Sequence, residues 1–261
     1  MNPPLKPGKV WLVGAGPGSP ELVTVRAARV LERAQVWLVD DLVSPEMTCY
    51  ASPGTHVEWV GKRGGRCSVS QDRILQLTLM HAMAGKEVAR VKGGDPLLFG
   101  RGAEESAFLR AHGVPVEVVN GISSGQAAAQ ALGVALTHRA HCHGVSLVTA
   151  HTSDHGSPDW GALARSGTTL VIYMGMSRLA AIRDALLAAN MLPGTLAAVV
   201  MHAGGNGQRC WTGTLATLGE ALDAGLASPA VIMVGAVLSD ALAPVHAPVH
   251  EEPAPQYGSP T

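Results

Sequence analysis

The stretch VWLVGAGPGSPELVTVRAARVLERAQVWLVD, residues 10–40, decides the architecture. VWLVG (10–14) reads as a buried strand, a short apolar run rich in β-formers and closed by glycine. Ser19 suits a helix N-cap, with Pro20 at the first helical position. Leu22, Val23, Ala27, Val30 and Leu31 then recur at helical intervals as far as about Ala34. VWLV (36–39) is the next strand and ends on Asp40. Strand, glycine turn, helix, strand is the repeating unit of a parallel α/β sheet.

The pattern continues on both sides. HVEWV (56–60) and EVARV (87–91) read as strands, with a helix from Gln71 to Ala84 between them and Gly85 as its C-cap. A helix ending near His112–Gly113, the strand VEVVN and an Ala-rich helix after Ser123 complete a first α/β half. Residues 133–144 read as a linker. Strands at 145–149, 169–173, 196–201, 209–211 and 230–236 follow, with helices at 177–189 and 215–224. The expected organisation is a flexible tail (1–8), an N-terminal α/β domain (9–138), a C-terminal α/β domain (139–240) and a Pro-rich flexible tail (241–261).

The 261 residues suit one large or two modest domains, and 47% apolar with 15% charged residues is a globular composition. Ten Trp, Tyr and Phe residues and a formal charge of −1 argue against a nucleic-acid surface. Four scattered cysteines, no long apolar run and no signal-peptide h-region give the expectation of a cytoplasmic protein with no membrane segment.

GAGPGS (14–19) sits where a dinucleotide fingerprint would, but Ser19 occupies the third glycine position, and no P-loop motif occurs. The choice is between a packing turn and a ligand loop of another kind. KGGDPLLFGRGAEE (92–105) is the most informative segment. Gly93 and Gly94 permit close backbone approach, and Asp95 is held extended by Pro96 at the strand edge where open α/β sheets bind ligands. Arg101 and Glu104 share a helix face, as substrate contacts or as a plain ion pair. GKRGGR (61–66) reads equally as an anion cluster and as a solvated basic loop. His138, His141, Cys142 and His143 cluster in the linker without tetrahedral spacing, so no metal site is expected. Met174 in IYMGM is a core or a site residue.

Together, VGAGPGSPELVTV, VDDLVS, VGKRGGR, VKGGDPLLFGRGAEE, NGISS, LTHR, VIYMGM and SPAVIMVG resemble the uroporphyrinogen-III C-methyltransferase family of tetrapyrrole methylases, in family order from about residue 9 to 238. The resemblance implies two α/β domains with the active site in the cleft between them, and a homodimer. It implies transfer of methyl groups from S-adenosylmethionine to C-2 and C-7 of uroporphyrinogen III, giving precorrin-2 and S-adenosylhomocysteine. On matching positions it places Pro17, Gly93, Gly94, Asp95, Leu98, Ser123, Ser124, Met174, Ala203 and Ala230 at the cofactor. Asp40 and Lys62 match the proton acceptor and donor, and Arg101, Glu104 and Arg139 match substrate-side residues, with Arg101 a rival base. Uroporphyrinogen III carries eight carboxylates, for which Lys62, Arg63, Arg66, Arg101 and Arg139 are the candidate cations.

The chain departs from the usual pattern at Asp41, where most relatives carry Arg, at His202-Ala203-Gly204 and at Cys67. A branch linked to haem d1 synthesis shares the Asp-Asp pair and a VTAHT stretch (148–152). No dehydrogenase–chelatase module is visible, so methylation alone is expected. The rival readings are a methylase of a later cobalamin precursor, a nicotinamide-dependent oxidoreductase, and a ligand-binding protein without turnover.

Overall fold

In the computed structural model, which describes residues 6–61, 70–150 and 156–240, the strands form two five-stranded sheets. The first contains β1 (Val10–Gly14), β2 (Val36–Val39), β3 (His56–Trp59), β4 (Val88–Lys92) and β5 (Val116–Val119). Its order is β3-β2-β4-β1-β5 and every pairing is parallel. The central strands are apolar on both faces because both are covered. Trp11 and Val13 pack with α1 (Val25–Arg33), while Val10 and Leu12 pack with Ile74 and Leu77 of α2 (Gln71–Met83) and Leu109 of α3 (Gly102–Ala111).

The helix expected from Ser19 to Ala34 is two pieces. A single 3-10 turn over Pro20–Leu22 is capped by Ser19; Val23 and Thr24 are then extended, and the Thr24 hydroxyl accepts from the Ala27 amide at 3.1 Å to start α1. A second N-cap inside the apolar repeat interrupts it.

The second sheet has β6 (Gly144–Thr149), β7 (Thr168–Tyr173), β8 (Leu196–Met201), β9 (Arg209–Thr214) and β10 (Ala230–Val234), in the order β6-β7-β10-β8-β9. Only β6 and β7 run parallel. A short α5 (Trp160–Arg165), capped by Asp159, was not expected. After it comes α6 (Leu179–Ala188). The helix expected over 215–224 shrinks to α7 (Glu220–Asp223). There the Thr217 hydroxyl bonds both the amide and the carbonyl of Thr214, making a turn instead of a first helical turn.

One element changes sides. Helix α4 (Ser124–Leu132) follows β5 of the first sheet, yet Ala127, Ala128, Ala129 and Leu132 pack on Val171, Ala198, Val200 and Val231 of the second. The sequence placed it in the first half; its small apolar face fits the second sheet. The chain therefore hands over between sheets at residues 120–124, above the C-terminal ends of β1 and β5.

Three glycines make that handover possible. A Cβ on Gly121 would stand 2.2 Å from the Gly94 carbonyl oxygen, and one on Gly14 would stand 2.5 Å from the Gly121 amide. Gly16 and Gly94 bridge in turn, with Gly94 N–H donating to Gly16 O at 2.7 Å. Gly121→Ala is expected to cost roughly 3–5 kcal/mol and to lower the melting temperature by roughly 10 °C. Gly194→Ala, where an added Cβ meets nothing within 4 Å, should change stability by no more than about 0.5 kcal/mol. Thermal unfolding of the two variants beside the parent chain is the check.

Candidate active site

The loops at the C-terminal ends of the first sheet face the loops of the second across a cleft of about 1160 Å³. That volume slightly exceeds the usual range of small-molecule sites, roughly 300–1,000 Å³. Residues 16–18, 40–46, 93–95, 98–101 and 123–124 form one wall, and 173–174, 177, 200, 202–203, 205–206 and 228–231 form the other. Among the described residues, five other than glycine have positive φ: Phe99 (53°), Arg101 (58°), Met174 (54°), Asn190 (65°) and His202 (49°). All but Asn190 line the cleft. Such backbone is costly and persists where the surroundings over-determine it, as functional sites do.

Beneath the first wall lies a charged network inside the protein. Arg90 on β4, in the middle of an otherwise apolar strand, is 1% exposed, Lys92 is 4% and Glu105 of α3 is 1%. Glu105 accepts from Lys92 Nζ at 2.9 Å and from Gln71 Nε2 at 3.0 Å, and its second oxygen lies 3.4 Å from Arg90 Nε. Arg90 also donates to the Leu38 and Val91 carbonyls. Asp40, at the end of β2, caps the network toward the cleft, accepting from Arg90 Nη2 and, at 3.3 Å, from Lys92 Nζ. Two cations and two carboxylates thus neutralise one another. Sequence reasoning passed over Arg90, Glu105 and Gln71. The readable signal was a charged residue inside a strand buried on both faces, which demands a partner.

Asp95 lines the cleft, but its carboxylate is committed to the loop. Oδ1 accepts from the Leu97 amide at 2.8 Å, while Oδ2 accepts from Asn120 Nδ2 at 3.0 Å and the Gly121 amide at 3.2 Å. It ties the loop after β4 to the loop after β5. Tyr173, at the end of β7, was also overlooked. Its hydroxyl sits 2.7 Å from Ser123 Oγ and accepts from the Gly125 amide at 3.2 Å, holding the N-terminus of α4 against the second sheet. Burial pushes the Tyr173 phenol above its ordinary range, so it stays protonated at working pH. Across the cleft, Asn206 Nδ2 donates to Glu46 Oε1 at 2.6 Å and the Ser19 amide donates to Gly204 O at 2.8 Å.

The residues named from sequence fall into three groups. Pro17, Asp40, Gly93, Gly94, Asp95, Leu98, Arg101, Ser123, Ser124, Met174, Ala203 and Ala230 all line this one cleft. Glu104 and Arg139 are outside its lining. Glu104 is exposed and grips Arg101, accepting from Nη2 at 2.6 Å and Nε at 3.1 Å. Arg139 is exposed in the connection between α4 and β6. Lys62, with Arg63, Arg66 and Cys67, lies outside the described residues. The Glu104 hydrogen bond pushes the Arg101 guanidinium further above the usual arginine range, and the same bond pulls Glu104 down.

The family model for tetrapyrrole (corrin/porphyrin) methylases matches residues 9–219. The chain belongs to this family. A uroporphyrinogen-III C-methyltransferase of Pseudomonas aeruginosa is 51% identical over 89% of this chain and 95% of its own length. Among solved structures, a uroporphyrin-III C-methyl transferase from Thermus thermophilus complexed with S-adenosyl homocysteine superposes with a TM-score of 0.77. It is 40% identical over 89% of this chain and 99% of that one. A cobalt precorrin-4 methyltransferase gives 0.79 at 28% identity, over 88% of this chain and 95% of that one. The TM-scores show that these relatives share the two-sheet α/β fold of this chain.

Removing one charge from the buried network should be expensive. Glu105→Gln preserves shape but leaves two buried cations facing Asp40 alone, and is expected to destabilise the chain by about 3 kcal/mol or more. Urea unfolding with an unchanged midpoint would remove the network from any structural role.

Proposed function

We propose that this chain transfers methyl groups from S-adenosylmethionine to C-2 and C-7 of uroporphyrinogen III, giving precorrin-2 by way of precorrin-1, for sirohaem, cobalamin or haem d1 synthesis. The observation that carries the reading is the convergence of twelve motif residues, from four separate loops of the first sheet and three segments of the second, on one cleft. The methyltransferase relatives, one of them named with S-adenosyl homocysteine, support the same choice of cofactor and substrate.

The residues fit that cofactor. Gly94 has φ +67° and an added Cβ there would meet nothing closer than 4.0 Å, so its side of the cleft is open to a ligand. Leu98, Met174, Val200, Ala203 and Val231 supply apolar wall, and Ser123 and Ser124 supply hydroxyls. When bound, S-adenosylmethionine supplies an activated methyl on a sulfonium and leaves as S-adenosylhomocysteine. The protein aligns the carbon nucleophile with that methyl and keeps water out. The methylated ring must then lose a proton, and the cleft offers two groups for it.

Asp40 is the better base. Its carboxylate sits at the cleft surface, 28% exposed, and is fixed in place by Arg90 and Lys92. Arg101 is the poorer one, because its hydrogen bonds to Glu104 favour the protonated guanidinium. Arg101 acts instead as a permanent cation for a substrate carboxylate, with Glu104 aiming it. Lys62 is the proton donor in this scheme, and Arg139 takes a carboxylate beyond the cleft lining. The alternative is a later cobalamin precursor as substrate, favoured by the likeness to the cobalt precorrin-4 enzyme. We further infer a homodimer. Exposed Leu42 and Phe99 at the cleft, with exposed Leu97 in the same loop as Phe99, supply apolar contact area for a second copy. A cytoplasmic site of action accords with this reading, and among the described residues no helix is long and apolar enough to cross a membrane.

Anaerobic incubation with S-adenosylmethionine and uroporphyrinogen III should yield a product carrying two added methyl groups by mass spectrometry. No product from uroporphyrinogen III, with turnover of a later precorrin, would select the alternative. Asp40→Asn should lower kcat by roughly 10²–10⁴-fold. Arg101→Ala should raise the substrate KM by roughly 10–100-fold, the worth of one charge-assisted hydrogen bond, without weakening S-adenosylhomocysteine binding. A kcat collapse in Arg101→Ala at unchanged KM would restore Arg101 as the base.

A further inference from the structure

A group of metal-ligating side chains lies away from the cleft, at the outer edge of the first sheet. β3 is that sheet's edge strand. Its alternation sends Val57 and Trp59 toward the α1 side, where they pack on the apolar cluster. His56 and Glu58 therefore share the opposite face. Helix α2 covers that face, and His81 in its last turn reaches the pair. His56 Nε2 lies 3.8 Å from Glu58 Oε2, and His81 Nε2 lies 4.0 Å from the same oxygen. The three ligand atoms are all within 4.8 Å of one another, and the two imidazole rings are 6.0 Å apart. None of the three lines the cleft.

The geometry points to a divalent transition-metal site, of the Zn²⁺ class, formed by His56, Glu58 and His81. Two imidazoles and one carboxylate are a common three-ligand set, with water in the fourth position. Tetrahedral coordination at about 2.0–2.2 Å puts ligand atoms on the order of 3.4 Å apart. The observed separations close to that with small side-chain rotations, which the 59% and 36% exposed side chains of His56 and Glu58 can make. The 3.8 and 4.0 Å separations are longer than hydrogen bonds, and a cation between the three groups would accept lone pairs from both imidazoles and the carboxylate at once. The ion would join the edge strand to the helix that follows it in the chain, on either side of the GKRGGR stretch, and so stabilise the folded state.

The histidines of 138–143 do not form such a group among the described residues, so variants distinguish this site from adventitious binding elsewhere. The chelator-stripped chain, free of any affinity tag, is titrated with ZnCl₂ in competition with a chromophoric chelator, and its melting temperature is followed. One Zn²⁺ per chain is expected, with a rise in melting temperature. His56→Ala, Glu58→Gln and His81→Ala should each weaken binding by at least about 100-fold and abolish the rise. The double variant His138→Ala/His141→Ala should retain both. Should His81→Ala fail to fold, His56→Ala and Glu58→Gln carry the test, since both lie on the exposed side of the group. The absence of saturable binding, or binding of undiminished strength in Glu58→Gln and His56→Ala, would overturn the assignment.

Discussion

Arg90 and Lys92 on a buried strand, Glu105 on α3 and Asp40 at the cleft edge form one charged network, and the cleft is built on top of it. Arg90, Lys92 and Glu105 lose their water, and pairing with one another and with the partly exposed Asp40 offsets that loss. Pairing in turn demands geometry. β2 must end beside β4, α3 must begin directly below, and α2 must bring Gln71 to Glu105. The acidic residues of the first turn of α3 also face a helix N-terminus, where negative charge is favoured. An apolar core could fill the same space at less electrostatic cost. What it could not do is present a carboxylate at a fixed position on the cleft surface.

The second constraint is the handover between sheets. Three glycines let the chain ends of β1, β4 and β5 approach at backbone distance, and Asp95 ties the two outer loops together through Asn120 and Gly121. The chain then enters α4, which packs on the other sheet, with the Tyr173 hydroxyl seated at its N-terminus. Both cleft walls are therefore anchored to a single short segment, residues 120–125. The strained backbone at Phe99, Arg101, Met174 and His202 is held between these anchors. Phe99 in particular leans on Tyr173, ring centroids 5.0 Å apart, so the loop after β4 touches the second sheet directly.

Much of this was legible in the amino-acid order. Apolar runs bounded by glycine located the strands of the parallel sheet, because strands buried on both faces leave a continuous hydrophobic signature. Gly85, Gly113 and Gly133 marked helix ends through the left-handed conformation they adopt. Periodicity misled where local hydrogen bonds competed with it: Thr24 restarted a helix inside an apolar repeat, and Thr217 replaced a helical turn with a side-chain turn. Long-range pairing left a weaker mark. Arg90 and Glu105 are each unremarkable in their own segment, and only the fold brings them together. Asp95 was read as a ligand contact; what the local pattern did not show is that its oxygens also tie the loop after β4 to Asn120 and Gly121. The side on which α4 packs depends on the second sheet, which the local pattern does not contain.

The account rests on the cleft between the sheets being the place where the cofactor binds. A crystal structure of the chain grown with S-adenosylhomocysteine tests this most directly. The expected result is the ligand in the cleft, its amino-acid portion and nucleoside lying against Gly93–Asp95, Ser123–Ser124, Met174, Ala203 and Ala230, with Asp40 facing the position vacated by the methyl group. Ligand bound elsewhere on the chain, or none at saturating concentration, would contradict it.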